Sequence, residues 1–216
     1  MRIYQIYLVD DHPIFLKGLT MLLNEVDEFK VIGEAHNGLE FLADLPHKSA
    51  DVVLMDIRMP HMDGIEATKL ALQQKPDLNV IALTMFGEQK YYRLMAEAGA
   101  KGFLQKDVGK DELVAAIQRV GNGETYFSER VRNELLTTPG EPDDIMKQMG
   151  EKLTEREMEV LSHLVHGLSA PEIAEKMFLS PRTVEGHRAS LISKTNTKNV
   201  VDLVIFAIRH NLANLS

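Results

Sequence analysis

The chain is 216 residues long, has no cysteine and carries a formal net charge of -8. That length suits two small domains, and the missing thiols exclude a disulfide framework and a thiolate metal site. Residues 1–150 hold 16 Lys and Arg against 24 Asp and Glu, whereas residues 151–216 hold 8 of each, so the acidity belongs to the N-terminal part.

The opening, Met1-Arg-Ile-Tyr-Gln-Ile-Tyr-Leu-Val-Asp10, is too short in its apolar stretch for a membrane span and lacks a cleavage-site pattern. It reads as a first strand, and a soluble cytoplasmic protein is the expectation. Further β-rich runs cover 30–35, 51–57, 79–85 and 102–106. They are rich in Val, Ile and Leu on both faces, as parallel strands covered by helices are. Helical periodicity fills about 13–25, 38–46, 64–75, 88–98 and 110–121, with Leu113, Ile117 and Val120 keeping the spacing in the last. Five βα units in sequence predict an α/β fold over residues 1–125. Its form is a flavodoxin-like, doubly wound parallel sheet of five strands in the order 2-1-3-4-5.

Thr137-Thr-Pro-Gly-Glu-Pro-Asp-Asp144 breaks the periodicity, so residues 126–150 read as a partly helical linker. Residues 151–216 then read as an all-α domain of four helices. Thr154-Glu-Arg-Glu157 and Ser169-Ala-Pro-Glu172 are capping-box sequences, and Ser180-Pro181 offers an N-cap with proline at the first helical position. Val201, Val204, Ile205 and Ile208 share one face of a last helix. The tight Gly167-Leu-Ser169 and Leu179-Ser-Pro181 connections predict a helix-turn-helix.

A doubly wound sheet binds ligands at the carboxyl ends of its strands. Asp10 with Asp11, Asp56, Thr84 and Lys106 all fall at such ends. A carboxylate at the tip of a buried strand is costly unless it is used. Three of them in one crevice need a cation, and hard oxygen ligands with room for water suit Mg²⁺. One carboxylate can then attack phosphorus while Lys106 pairs with a phosphoryl oxygen and the Thr84 hydroxyl bonds another. The product is an acyl phosphate on an aspartate. Singly, each residue has a plainer reading: Asp10-Asp11 as a helix cap before His12-Pro13, Asp56 in a turn, Thr84 in a strand, Lys106 in solvent. Their joint arrival at four strand ends favours the site.

These residues stand in Leu8-Val-Asp-Asp-His-Pro13, Leu54-Met-Asp-Ile-Arg-Met-Pro60 with Met62-Asp-Gly64, Ala82-Leu-Thr84 and Gly99-Ala-Lys-Gly-Phe-Leu-Gln-Lys106. The set resembles the receiver domain of two-component response regulators over residues 3–121. The resemblance implies that Asp56 is the phosphoacceptor and that Asp10, Asp11, Asp56 and the backbone carbonyl of Arg58 hold Mg²⁺. It further implies that Thr84 and Lys106 read the phosphoryl group and that Phe103 is a switch aromatic, turning inward as Thr84 moves. Arg58 and Phe86 lie two residues past Asp56 and Thr84, where that family lines the path of the hydrolytic water. Their bulk is expected to prolong the life of the phosphoryl group.

The third C-terminal helix, about 181–195, carries Arg182, Thr183, Glu185, His187, Arg188, Ser190 and Lys194. Basic side chains reach phosphates and such a helix fits the major groove, although a solvated helix of an interaction domain has the same look. Leu153-Thr-Glu-Arg-Glu157, Gly167-Leu-Ser169, Glu172-Ile-Ala174, Leu179-Ser-Pro-Arg-Thr-Val184 and His187-Arg188 resemble the NarL/LuxR type of helix-turn-helix domain over residues 152–212. That resemblance implies a recognition helix at 181–195, with Arg182 and Thr183 among its DNA-binding residues. A face of Val184, His187 and Arg188 would turn toward DNA, Lys194 would contact phosphate, and the last helix would pair in a dimer. Ala170-Pro171 and Glu185 depart from the family, which often has a basic or amide pair and a Lys there. Glu185 is repelled by phosphate but can accept a hydrogen bond from a cytosine amino group.

The combined expectation is a phosphorylation-controlled, DNA-binding transcription regulator, not an enzyme beyond its own modification at Asp56. Its partners would be a histidine kinase, double-stranded DNA and a second copy of itself. Two alternatives stay open at this stage. One is a phosphatase or phosphotransferase with an Asp nucleophile, although Arg58 stands where many of these carry a general acid. The other is an interaction protein whose receiver is never phosphorylated.

Overall fold

The computed structural model describes residues 2–85, 89–137, 153–210 and 212. Phe86 and the proline-containing stretch 138–150 lie outside the described residues. Two compact units emerge, Met1–Ser128 and Glu129–Ser216.

The first unit is a parallel sheet of β1 (Tyr4–Val9), β2 (Phe29–Ala35), β3 (Val52–Asp56), β4 (Asn79–Thr84), β5 (Gly102–Gln105) and β6 (Tyr126–Phe127). The strand order is β2-β1-β3-β4-β5-β6. It alternates with α1 (Pro13–Asn24), α2 (Gly38–Asp44), α3 (Gly64–Gln74), α4 (Gln89–Ala98) and α5 (Lys110–Gly121). The order expected for the first five strands is the order found. The count of five needs correction: Tyr126 and Phe127, expected in the linker, add a sixth strand. The Tyr126 N–H donates to the Lys101 carbonyl at 3.0 Å and the Ser128 N–H to the Phe103 carbonyl at 3.0 Å. That pairing covers the outer edge of β5 and buries Phe127.

Every residue of β3 and β4 is buried, because helices cover both faces of the sheet. On one side Ile6, Leu8, Leu54, Ile81 and Leu104 meet Leu16 and Leu23 of α1 and Leu113 and Ile117 of α5. Full burial of each such side chain contributes about 1.5–3 kcal/mol. This core fixes the height at which the strands end, and therefore where their terminal polar residues stand. The loop after β3 folds back tightly: the Gly64 N–H donates to the Ile57 carbonyl at 2.9 Å. A Cβ on Gly64 would land against the Asp56 carbonyl oxygen, so only glycine fits there. Asp63 caps α3 by accepting the Glu66 N–H at 2.9 Å.

The second unit holds α6 (Glu129–Thr137), α7 (Glu155–Val165), α8 (Ala170–Met177), α9 (Pro181–Thr195) and α10 (Val200–Arg209). Both expected capping boxes form, Thr154 with Glu157 and Ser169 with Glu172. Ser180 caps α9 with Pro181 at its first position. The turn from α8 to α9 is closed by Phe178 in the left-handed region (φ 55°), with the Leu179 N–H donating to the Ala174 carbonyl at 2.8 Å. Helix α9 packs on α7, α8 and α10, which is the expected helix-turn-helix with its support. Helix α6 joins this unit by packing on α10, so residues 129–137 are more than connector.

Candidate functional site

The four strand ends of the first unit do converge. Lys106, directly after β5, is held beside β4 by its N–H bond to the Thr84 carbonyl at 2.8 Å. Its ammonium reaches Asp10 Oδ2 at 2.7 Å and Asp56 Oδ2 at 2.9 Å. Asp10 and Asp56 are buried, and the other Asp56 oxygen accepts the Ile57 N–H at 2.8 Å. Asp11 completes the acidic group: ligand atoms of Asp10, Asp11, His12 and Asp56 all lie within 4.8 Å of one another. Asp11, His12 and Asp56 line a cleft of about 600 Å³ that also touches Arg58, Met85 and Lys106.

The charges behave accordingly. Burial pushes the Asp56 carboxyl up from 3.8 to about 6, against the pull of Lys106 and with the help of Asp10. Burial also works to lower the Lys106 ammonium, but its ion pairs with Asp10 and Asp56 outweigh that and hold it above its ordinary value. A lysine stands where an added cation or a phosphoryl group would take over part of its work. Carboxylate oxygens with an open side are donors that a hard cation such as Mg²⁺ accepts, so the residues fit one.

Thr84 is fully buried, and its hydroxyl donates to the Leu104 carbonyl at 3.3 Å and lies 3.5 Å from the Tyr92 hydroxyl. Phe103 is fully buried, so the inward turn expected of it has no exposed ring to start from in this structure. Its ring meets Tyr92 edge-on at 5.9 Å and stacks on Phe127 at 5.2 Å and 8°. Arg58 is exposed at the rim of the cleft. Three participants went unread in the sequence. His12 places Nδ1 3.0 Å from Asp10 Oδ1 and 2.8 Å from Asp11 Oδ1, and its position right after the acid pair was the available signal. Tyr92 and Phe127 complete the aromatic stack, and only their contacts reveal it.

In the second unit the outward face of α9 differs from the one expected. Val184 is fully buried with Leu191 and Thr195, because residues 184, 191 and 195 fall on the stripe that meets the other helices. Val184 is therefore a core residue and does not face outward. His187 and Arg188 flank that stripe, with the Arg188 side chain 16% exposed and paired to Glu185. The exposed stripe is Arg182, Glu185, Gly186, Ala189 and Ser193, with Thr183 beside it.

Lys194, expected to contact phosphate, is engaged inside the unit. Its ammonium donates to both oxygens of Glu157, at 2.8 and 2.7 Å. Glu157 is buried and also accepts the Ser190 hydroxyl at 2.7 Å and the Thr154 N–H at 2.8 Å. Burial alone would raise the Glu157 carboxyl, but these donors, Lys194 first, hold it down at about 2. One carboxylate thus caps α7 and clamps α9 to it.

An acidic, lysine-bridged pocket at the strand ends of one unit and a helix-turn-helix in the other define a DNA-binding regulator of the receiver-containing class. Comparison with known proteins agrees. Residues 6–118 match the response regulator receiver domain, and residues 151–207 match the DNA-binding domain of bacterial regulatory proteins of the luxR family. The chain belongs to the two-component response regulators that act as transcription regulators. It is 38% identical over 208 residues to the uncharacterized transcriptional regulatory protein YhcZ of Bacillus subtilis, covering 96% of this chain and 97% of that one. It is 34% identical to the response regulator UvrY of Escherichia coli, covering 97% and 95%. A solved structure of two RcsB dimers bound to two parallel DNAs is similar at 25% identity with a TM-score of 0.59, covering 96% of this chain and 99% of that one. Among the described residues no helix is long and apolar enough to cross a membrane.

Proposed function

We propose that Asp56 is the phosphoacceptor and that its modification governs DNA binding by the second unit. The observation that carries this is the Lys106 ammonium bridging Asp10 and Asp56 at buried strand ends beside Asp11. In the transfer, an Asp56 carboxylate oxygen attacks the phosphorus of a phosphohistidine or a small acyl phosphate. The new O–P bond forms as the bond to the donor's leaving group breaks, and that group departs with the electron pair. Asp10, Asp11 and Asp56, with the backbone carbonyl of Arg58, would hold Mg²⁺, which supplies positive charge between the carboxylates and the incoming phosphoryl group. Lys106 follows the charge, exchanging a carboxylate for a phosphoryl oxygen. The Thr84 hydroxyl leaves the Leu104 carbonyl for another phosphoryl oxygen, and Phe103 repacks beside it. Arg58 at the cleft rim, together with Phe86, slows the entry of hydrolytic water.

The receiver, expected at 1–125, is taken to run through the sixth strand to Ser128, and α6 is grouped with the DNA-binding domain expected at 151–216. The exposed stripe of α9, with Arg182 and Thr183 at its N-terminal end, enters the major groove. His187 and Arg188 flank it, and Glu185 contributes selectivity. Two copies would engage two half-sites about one helical turn apart. A histidine kinase is the donor and the cytoplasm the compartment. The direct test is incubation with acetyl phosphate and Mg²⁺ followed by intact-mass measurement. Wild type gains one phosphoryl group and Asp56→Asn gains none; equal uptake by both removes Asp56 from the role.

A further inference from the structure

The aromatic stack next to Thr84 continues beyond the pocket. Tyr92 of α4 approaches the Thr84 hydroxyl and meets the Phe103 ring edge-on, and Phe103 in turn lies flat on Phe127. Phe127 belongs to β6, a strand of two residues. Among the interactions that hold it are the two backbone bonds to Lys101 and Phe103, a Tyr126 hydroxyl bond to Glu112 at 3.4 Å, and the Phe103–Phe127 stack. Helix α6 begins two residues after Phe127, at Glu129, and packs on α10 of the DNA-binding unit.

We propose that Phe127 is a positioning residue for the Thr84–Phe103 pair, and that β6 carries the state of Asp56 into α6. The proposal rests on Asp56 being the phosphoacceptor. When the Thr84 hydroxyl leaves the Leu104 carbonyl and the Tyr92 hydroxyl, the wall against which Phe103 packs changes. Phe103 is fully enclosed and meets both Tyr92 and Phe127, so a shift of its ring presses on them. The Ser128 N–H is bonded to the carbonyl of Phe103 itself, so ring and strand edge shift together. The register of β6 then alters, and the start of α6 with it. The proposed two-state element is β6, with one register for each state of Asp56. The sixth strand, absent from the sequence expectation, thereby becomes the output of the receiver.

The test uses the full chain, with acetyl phosphate and Mg²⁺ as phosphodonor. Intact mass reports phosphoryl uptake, and hydrogen exchange reports the amides of 126–137. In wild type, uptake changes exchange across this segment by roughly fivefold or more, the low end for coupled sites. Phe127→Leu keeps apolar volume but removes the flat ring, and its donor effect falls below about twofold. Phe127→Tyr keeps the ring and the wild-type response. Loss of uptake in the Leu variant alone also supports the positioning role. The proposal is overturned if the Leu and Tyr variants behave alike, whether both respond as wild type or neither takes up phosphoryl. It is also overturned if wild type gains a phosphoryl group while exchange at 126–137 stays unchanged. A wild type that gains none overturns the Asp56 assignment itself, and the mass reading tells that result apart.

Discussion

Glu157→Gln removes a charge from the clamp that holds α9 while keeping its shape. Glu157 is held at about 2 against an ordinary 4.5 by Lys194, Ser190 and Thr154, in spite of burial. At about 1.4 kcal/mol per pH step, that depression corresponds to about 3 kcal/mol at neutral pH. The magnitude agrees with the roughly 3–5 kcal/mol lost when a buried ion pair is broken on one side. The sign follows from the direction of the shift. A carboxylate lowered in the folded state stabilises fully above its unfolded value of 4.5 and loses that contribution as pH falls toward 2. Wild type and Glu157→Gln should therefore differ by about 3 kcal/mol at pH 7 and converge near pH 2. Hydrogen exchange of α9 amides in the full chain reads the local opening free energy. DNA affinity should fall in parallel, because α9 is no longer fixed against α7. A difference under about 1 kcal/mol at pH 7, or one that does not shrink with acid, would refute the clamp.

Three further outcomes follow from the same geometry. Asp56 is raised from 3.8 to about 6, so it withdraws stability as pH climbs through that window, and Asp56→Asn should stabilise the metal-free chain by about 3 kcal/mol at pH 7. Urea midpoints of the two proteins that coincide at pH 7 would contradict this. Arg58→Ala should raise the autodephosphorylation rate several-fold, measured by phosphoryl loss after donor removal, whereas an unaltered rate takes Arg58 out of the water path. Glu185→Lys converts the acid in the exposed α9 stripe to a base. It should raise affinity for random duplexes, steepen the salt dependence by about one phosphate contact and relax sequence preference. Unmoved affinities for both a selected and a random duplex would sink that expectation.

What the sequence made legible depended on how local the physics was. Strand ends are set by short apolar runs, so the sequence alone places Asp10, Asp56, Thr84 and Lys106 on one edge of the sheet. Helix starts are set within four residues, so the Thr154, Ser169 and Ser180 caps were readable as well. The phase of α9 was harder. Its amphipathic pattern is weak, and basic residues at 187 and 188 suggested a face that Val184 and Leu191 place at the edge of the core. The Lys194–Glu157 pair spans 37 residues in sequence, and no pattern of charge spacing within α9 announces it. Strand β6 was invisible for the opposite reason. Two residues cannot show alternation, and Tyr126-Phe127 becomes a strand only because β5 offers a free edge and Phe103 offers a ring. The features that escaped are those made by contact between segments distant in sequence. A receiver pocket can be read from strand ends alone, but what its state moves is decided by packing. Here that packing leads from Thr84 through two rings to the strand that precedes α6.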